Sequence, residues 1–217
     1  MARLALFDLD NTLVERGAAF ASWATEFVAA HDLPPGAAAW LLTRDADGAT
    51  PRDRFFTEVR DRFRLQEPMQ ELWRSYRRSL PEHISVRPGV LAMLADLRHR
   101  GWRLAVATNG RPDNQLAKLH RTGLAEAVDG WAISGELGVR KPDRALFAAA
   151  AEACGADLAA GGWMTGDNPE HDIAGARAAG LHTIWISRGR TWPAGRPSPD
   201  HTCAAVEAAA AVLRGAA

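Results

Sequence analysis

The stretch Leu4-Ala5-Leu6-Phe7 is apolar on both alternating faces and stops abruptly at Asp8-Leu9-Asp10-Asn11-Thr12. That pattern predicts a strand buried on both sides, as in a parallel sheet, where Asp8 is tolerable only at the point of leaving the sheet. Beyond Thr12 the apolar spacing lengthens to that of helices. Phe20, Trp23, Phe27 and Val28 mark a first helix, ended by Asp32-Leu33-Pro34-Pro35-Gly36, and Trp40, Leu41 and Leu42 mark a shorter second. Asp45 to Pro51 reads as a loop. Phe55, Phe56, Val59 and Phe63 then predict a third helix, and Met69, Leu72, Trp73, Tyr76 and Leu80 a fourth. Residues 15–84 are therefore expected to form an all-helical unit inserted after the first strand, with 1–14 and 85–217 forming the other domain.

From Pro88 the pattern alternates. A helix from Val90 to Arg100 precedes a strand over Arg103–Ala107 that ends in Thr108-Asn109-Gly110. A helix from Pro112 to Arg121 follows, stopped by Gly123, then a short strand over Trp131–Ser134 and a helix from Pro142 to Cys154. Gly162–Thr165 reads as a strand running into Gly166-Asp167, and Pro169 to Ala179 as a helix for which Asn168 is the cap. His182–Ile186 is the fifth strand, Ala204 to Arg214 the last helix, and His201–Cys203 a short edge strand. Strands alternating with helices predict an α/β fold, a doubly wound parallel sheet of Rossmann-like kind.

Composition changes this picture mainly by exclusion. The 217 residues are 47% hydrophobic and 24% charged, ordinary globular material. Lys plus Arg and Asp plus Glu both number 26, which argues against a nucleic-acid polymer as partner. Nothing approaches the roughly 18 consecutive apolar residues of a membrane span, and the start of the chain is too short in apolar residues for a signal peptide. Cys154 and Cys203 stand far apart and unpaired in spacing. A soluble, cytoplasmic protein with reduced thiols is expected; the sequence carries no signal for oligomeric state.

Four polar clusters follow predicted strand ends: Asp8/Asp10/Thr12, Thr108/Asn109/Gly110, Arg140/Lys141/Pro142, and Gly166/Asp167/Asn168 with Asp172. If the first strand is central, all four converge on one crevice at the switch point of the sheet. Carboxylates crowded there repel one another unless a cation joins them, and their hard oxygens suit Mg²⁺. Lys141 adds a fixed positive charge, Thr108 a hydroxyl, and the Asn109-Gly110 turn offers N–H groups of the kind that receive phosphate. Acids for a metal beside donors for an anion describe a phosphoryl-transfer site.

With these motifs in this order the chain resembles the haloacid dehalogenase superfamily, in its phosphatase branch with an α-helical cap inserted after the first strand, similar to nucleotidase and phosphoglycolate-phosphatase-like members. The resemblance implies Asp8 as nucleophile, Asp10 as acid/base, Thr108 and Lys141 as catalytic, and Thr108, Asn109, Gly110 and Lys141 as substrate-binding. It also implies Mg²⁺ held by Asp8, Asp10 through its carbonyl, Asp167 and Asp172, and a small phosphorylated metabolite as substrate, a nucleoside monophosphate or a sugar phosphate among the candidates. A 2-haloacid dehalogenase, a phosphosugar mutase and a non-catalytic binding protein are the competing readings. The first has no need of Asp10, Asp167 or Thr12.

Overall fold

The computed structural model describes residues 3–216; the ends of the expected domain segments, Met1, Ala2 and Ala217, lie outside the described residues. By internal contacts the chain divides into two units, one formed by the residues up to Glu15 with those from Val86 onward, the other by Arg16–Ser85. No helix among the described residues is long and apolar enough to cross a membrane.

The first unit is built on six parallel strands: β1 (Arg3–Phe7), β2 (Trp102–Thr108), β3 (Gly130–Ile133), β4 (Trp163–Gly166), β5 (His182–Ile186) and β6 (His201–Cys203). Their order is β3-β2-β1-β4-β5-β6, so the winding reverses beside β1. Phe7 lies opposite Val106 on one side and Thr165 on the other, which brings the carboxyl ends of β1, β2 and β4 level. The short edge strand expected at His201–Cys203 is present: Ile186 pairs with Cys203. On one face of the sheet Leu4, Leu6, Ala105, Ala107 and Met164 pack with Leu146, Phe147 and Ala150 of a helix over Arg144–Ala153. Small residues on the strands let that helix sit close.

In chain order the helices of this unit, numbered after the four of the insertion, are α5 (Pro88–His99), α6 (Pro112–Arg121), α7 (Leu124–Ala127), α8 (Ser134–Leu137), α9 (Arg144–Ala153), α10 (Gly175–Ala178) and α11 (Val206–Gly215). α5 and α6 begin on a proline, whose missing N–H costs nothing in a first turn. Several expectations need correction. The helix expected from Pro142 starts only at Arg144, where the Asp143 side chain accepts the Ala145 N–H; Lys141 and Pro142, joined by a cis peptide, precede it in a turn. Ser134 opens α8 rather than closing β3. α7 and α8 are single turns, too short to leave a period in the sequence. The helix expected over 169–179 is wound wide, as a π-type segment, through Pro169–Ala174 before α10.

The second unit holds α1 (Arg16–Ala30), α2 (Ala37–Asp45), α3 (Arg52–Phe63) and α4 (Met69–His83). Phe20, Trp23, Phe27, Phe55, Phe56 and Tyr76 form its core, with Trp23 and Tyr76 edge to face at 4.9 Å. Trp23 is therefore a core residue, and Trp40 and Trp73 pack half-buried against the same cluster. Asp45, expected in a loop, is the buried last residue of α2. Both its oxygens take the Arg16 guanidinium, at 2.6 and 2.7 Å, and Arg52 adds a third bond at 2.7 Å. Arg44 and Arg54 both pair with Glu58, so the arginines of this region are engaged within their own unit.

Burial by itself would raise the Asp45 pKa, but the two guanidiniums outweigh it and hold the carboxyl below its ordinary value. A folded value below the unfolded one means the stabilisation is present above the unfolded pKa and is lost as pH falls through the folded one. Asp45→Asn should therefore cost about 3 kcal/mol at neutral pH and should flatten the acid side of the stability curve. Thermal melts followed by circular dichroism from pH 7 downward test this. An unchanged acid limb in the variant would refute it.

Candidate active site

Where β1 ends, the Asp8 N–H still donates to the Thr165 carbonyl at 2.9 Å, which fixes the residue in line with the sheet. The chain then turns back on itself: Leu13 and Val14 N–H groups donate to the Leu9 carbonyl at 3.0 Å, and Asn11 adopts φ 63, a left-handed conformation that asparagine tolerates. Asp8 and Asp10 thus leave the central strand together.

Asp8 enters a buried cluster with Lys141 and Asp172. The Lys141 ammonium lies 2.6 Å from Asp8 Oδ1 and 2.7 Å from Asp172 Oδ1, and only 2% of the lysine is exposed. Thr12 Oγ1 donates to Asp8 Oδ2 at 3.4 Å. The other Asp172 oxygen accepts the Asn168 N–H at 2.8 Å. Asn168 caps the following segment as expected, accepting from Glu170 and His171 N–H groups, and His171 is half-buried rather than exposed. Gly166 is required by this packing: a Cβ there would lie 2.4 Å from the Asp172 carboxyl carbon. Asp167 is steered from outside, its Oδ2 accepting from Arg188 at 3.1 Å and Arg190 at 3.0 Å, and its carbonyl from Trp185 Nε1 at 2.9 Å.

Oxygens of Asp8, Asp167 and Asp172 all lie within 4.8 Å of one another. Burial pushes the Asp8 carboxyl up to about 8; Asp172 and Asp167 add to the rise and Lys141 opposes it. Burial, with Asp172, pushes Asp167 up to about 6 against Arg190 and Arg188. For Lys141 burial works against the charge, but Asp172 and Asp8 outweigh it and hold the amine protonated. Three carboxylates that each offer a hard oxygen at this spacing fit a divalent cation such as Mg²⁺.

Across the crevice stands a second cluster that the sequence did not disclose. Lys118 of α6, 2% exposed, donates to both Asp10 oxygens at 2.7 and 2.8 Å and to Gln115 Oε1 at 2.8 Å. Gln115 Nε2 donates to Asp10 Oδ2 at 3.1 Å and to Thr108 Oγ1 at 2.7 Å. Their only trace in the sequence is an i, i+3 spacing, shared by many solvated polar pairs. Arg188 and Arg190 were missed for a similar reason, lying in a loop without period.

Of the residues expected to bind an anion, Thr108 is buried at the end of β2 and Lys141 is buried between Asp8 and Asp172. Asn109 instead braces Lys141: its Oδ1 accepts the Lys141 N–H at 2.9 Å and its Nδ2 donates to the Lys141 carbonyl at 3.1 Å. Gly110 is corrected, since its N–H donates to Ser134 Oγ at 3.0 Å and is engaged within the protein.

A switch-point crevice furnished with carboxylates and two buried lysines, in place of a glycine-rich nucleotide loop, defines a doubly wound α/β protein equipped for acid–base and nucleophilic chemistry. The family model that matches residues 2–180 is that of haloacid dehalogenase-like hydrolases, and the chain belongs to that family. It is 45% identical over 115 residues to a phosphoserine phosphatase of Thermus thermophilus, a stretch covering 52% of this chain and 45% of that protein. The chain thus spans about half the length of that relative. A phosphoglycolate phosphatase of Rhodospirillum rubrum is 32% identical over 199 residues, covering 87% of this chain and 81% of that one. The fold is shared with a HAD hydrolase of Bacillus subtilis, at a TM-score of 0.80 with 23% identity over 98% of this chain and 99% of that one.

Proposed function

We propose that the protein is a Mg²⁺-dependent phosphomonoester hydrolase that cleaves a small phosphorylated metabolite through an aspartyl-phosphate on Asp8. The observation that carries this reading is the pairing of two distinct carboxylate environments two residues apart. Asp8 lies among Lys141, Asp167 and Asp172, whereas Asp10 is bound by Lys118 and Gln115. Two acids in separate environments suit two roles, nucleophile and acid/base.

In the first step an Asp8 oxygen attacks phosphorus, the bond to the departing oxygen breaks, and Asp10 supplies the proton that oxygen takes up. In the second, Asp10 takes a proton from water, whose oxygen bonds to phosphorus as the bond to Asp8 breaks, releasing inorganic phosphate. Lys141 and the Thr108 hydroxyl are assigned to the transferring oxygens, whose charge they offset. Asp8, Asp167 and Asp172, with the Asp10 carbonyl, are the residues assigned to the cation, which when bound supplies Lewis-acid charge neutralisation for the phosphoryl group. Haloacid dehalogenation would use Asp8 but would give Asp10 and Asp167 no task.

The relatives named above are called phosphatases of phosphoserine and phosphoglycolate, both small carboxylated phosphomonoesters. These two, nucleoside monophosphates and sugar phosphates make up the panel that tests the reading. Phosphate release is expected with Mg²⁺ and should fall at least about 100-fold with chelator. Release that persists undiminished in chelator would remove the metal from the proposal, and isomerisation without release would point to a mutase.

A further inference from the structure

We propose that Lys118 and Gln115 of α6 are positioning residues for Asp10, and that they aim its carboxyl at the leaving-group oxygen. This rests on the acid/base role of Asp10 given above. A half-buried carboxylate on a turn has two side-chain torsions free to wander, and a one-ångström error at a proton-transfer group is costly. Here both oxygens are held from one rigid helix face: Oδ1 by Lys118, and Oδ2 by Lys118 and Gln115, at 2.7 to 3.1 Å. Lys118 is itself fixed by Gln115 Oε1 at 2.8 Å, so the bracket is internally braced.

The same amide orders a second group. Gln115 Nε2 donates to Thr108 Oγ1 at 2.7 Å, so that oxygen accepts there and its own proton is turned elsewhere. The bracket therefore joins the acid/base to the strand-end hydroxyl. Gly110 shows how closely the amide is confined, since a Cβ at that position would lie 2.8 Å from Gln115 Cδ.

A lysine buried only for the sake of folding would affect every substrate alike. A positioning lysine affects those whose leaving group needs the proton. In Lys118→Met, kcat/KM is expected to fall less than about threefold for 4-nitrophenyl phosphate, whose leaving group departs as a stable anion. For an alkyl phosphomonoester turned over by the wild type it should fall about 30- to 100-fold, within the range that acid–base catalysis supplies. In an Asp10→Asn background the same substitution should add no further difference between the two esters.

Gln115→Met keeps both charges of the ion pair and provides a second reading if Lys118→Met does not fold; freeing Thr108 lowers kcat/KM for both esters, and the alkyl ester should lose a further factor beyond that common loss. A uniform loss across both esters, or a selective loss that adds to that of Asp10→Asn, overturns the positioning role alone. Wild-type protein inert on both esters with Mg²⁺ overturns the phosphatase reading and this inference with it.

Discussion

Asp8→Asn is expected to lower turnover by at least about four orders of magnitude, as removal of a nucleophile does, while raising the melting temperature. The first half follows from chemistry: an amide in place of the carboxylate cannot form the acyl phosphate. The second half follows from the pKa. Burial holds the Asp8 carboxyl well above its ordinary range in the fold, so folding opposes its charge. An acid raised in this way weakens the fold at every pH above its unfolded pKa, neutral pH included, and ceases to do so below that pKa, where both states are protonated. The amide has no ionisation for the fold to oppose, and it leaves Lys141 its bond to Asp172 at 2.7 Å. Melting measured without divalent cation, beside phosphate release with Mg²⁺, tests both halves. Wild-type turnover would overturn the nucleophile assignment, and a lowered melting temperature would overturn the electrostatic account of the cluster.

Lys141→Met should move stability the other way. The ammonium is the positive charge between Asp8 and Asp172, all three buried, and its loss leaves two acids facing each other with Asp167 beside them. Breaking a buried pair from one side costs about 3–5 kcal/mol, or roughly 10 °C in a chain of this size. Turnover should fall about 100- to 1,000-fold as the charge facing the transferring oxygens is lost. Differential scanning calorimetry decides the first point. A melting temperature within about 2 °C of wild type would mean that the acids do not depend on this lysine.

The fold was readable where the chain has strong periods. The doubly apolar run at Leu4–Phe7, the alternation after Pro88 and the helical spacing of Phe20, Trp23 and Phe27 all correspond to observed elements. Period fails below two turns, so α7 and α8 passed unseen, and it does not register a wide helical turn such as Pro169–Ala174. In the site, Asp8 and Asp167 stand out in the sequence because carboxylates directly after buried strands are anomalous, and the structure brings both together with Asp172. Lys118, Gln115 and Arg190 do not, because a polar residue on a helix or loop looks the same whether it faces water or a carboxylate. Gly110 was misread for a related reason: a turn that exposes an N–H in sequence can have it bound by a distant hydroxyl, here that of Ser134.

The place of β1 in the sheet also has a bearing on synthesis. The strand that ends in Asp8 is made well before its partners in the sheet, since Arg3 pairs with Trp102 and Ala5 with Trp163. On the ribosome β1 emerges before both its neighbours and waits for them, while the intervening Arg16–Ser85 makes its contacts locally. Such long-range pairing is slow, and it leaves two unpaired strand edges exposed in the nascent chain. A chain interrupted before Trp163 would carry the Asp8 carboxylate on a strand with one side still open, prone to join another chain through that edge.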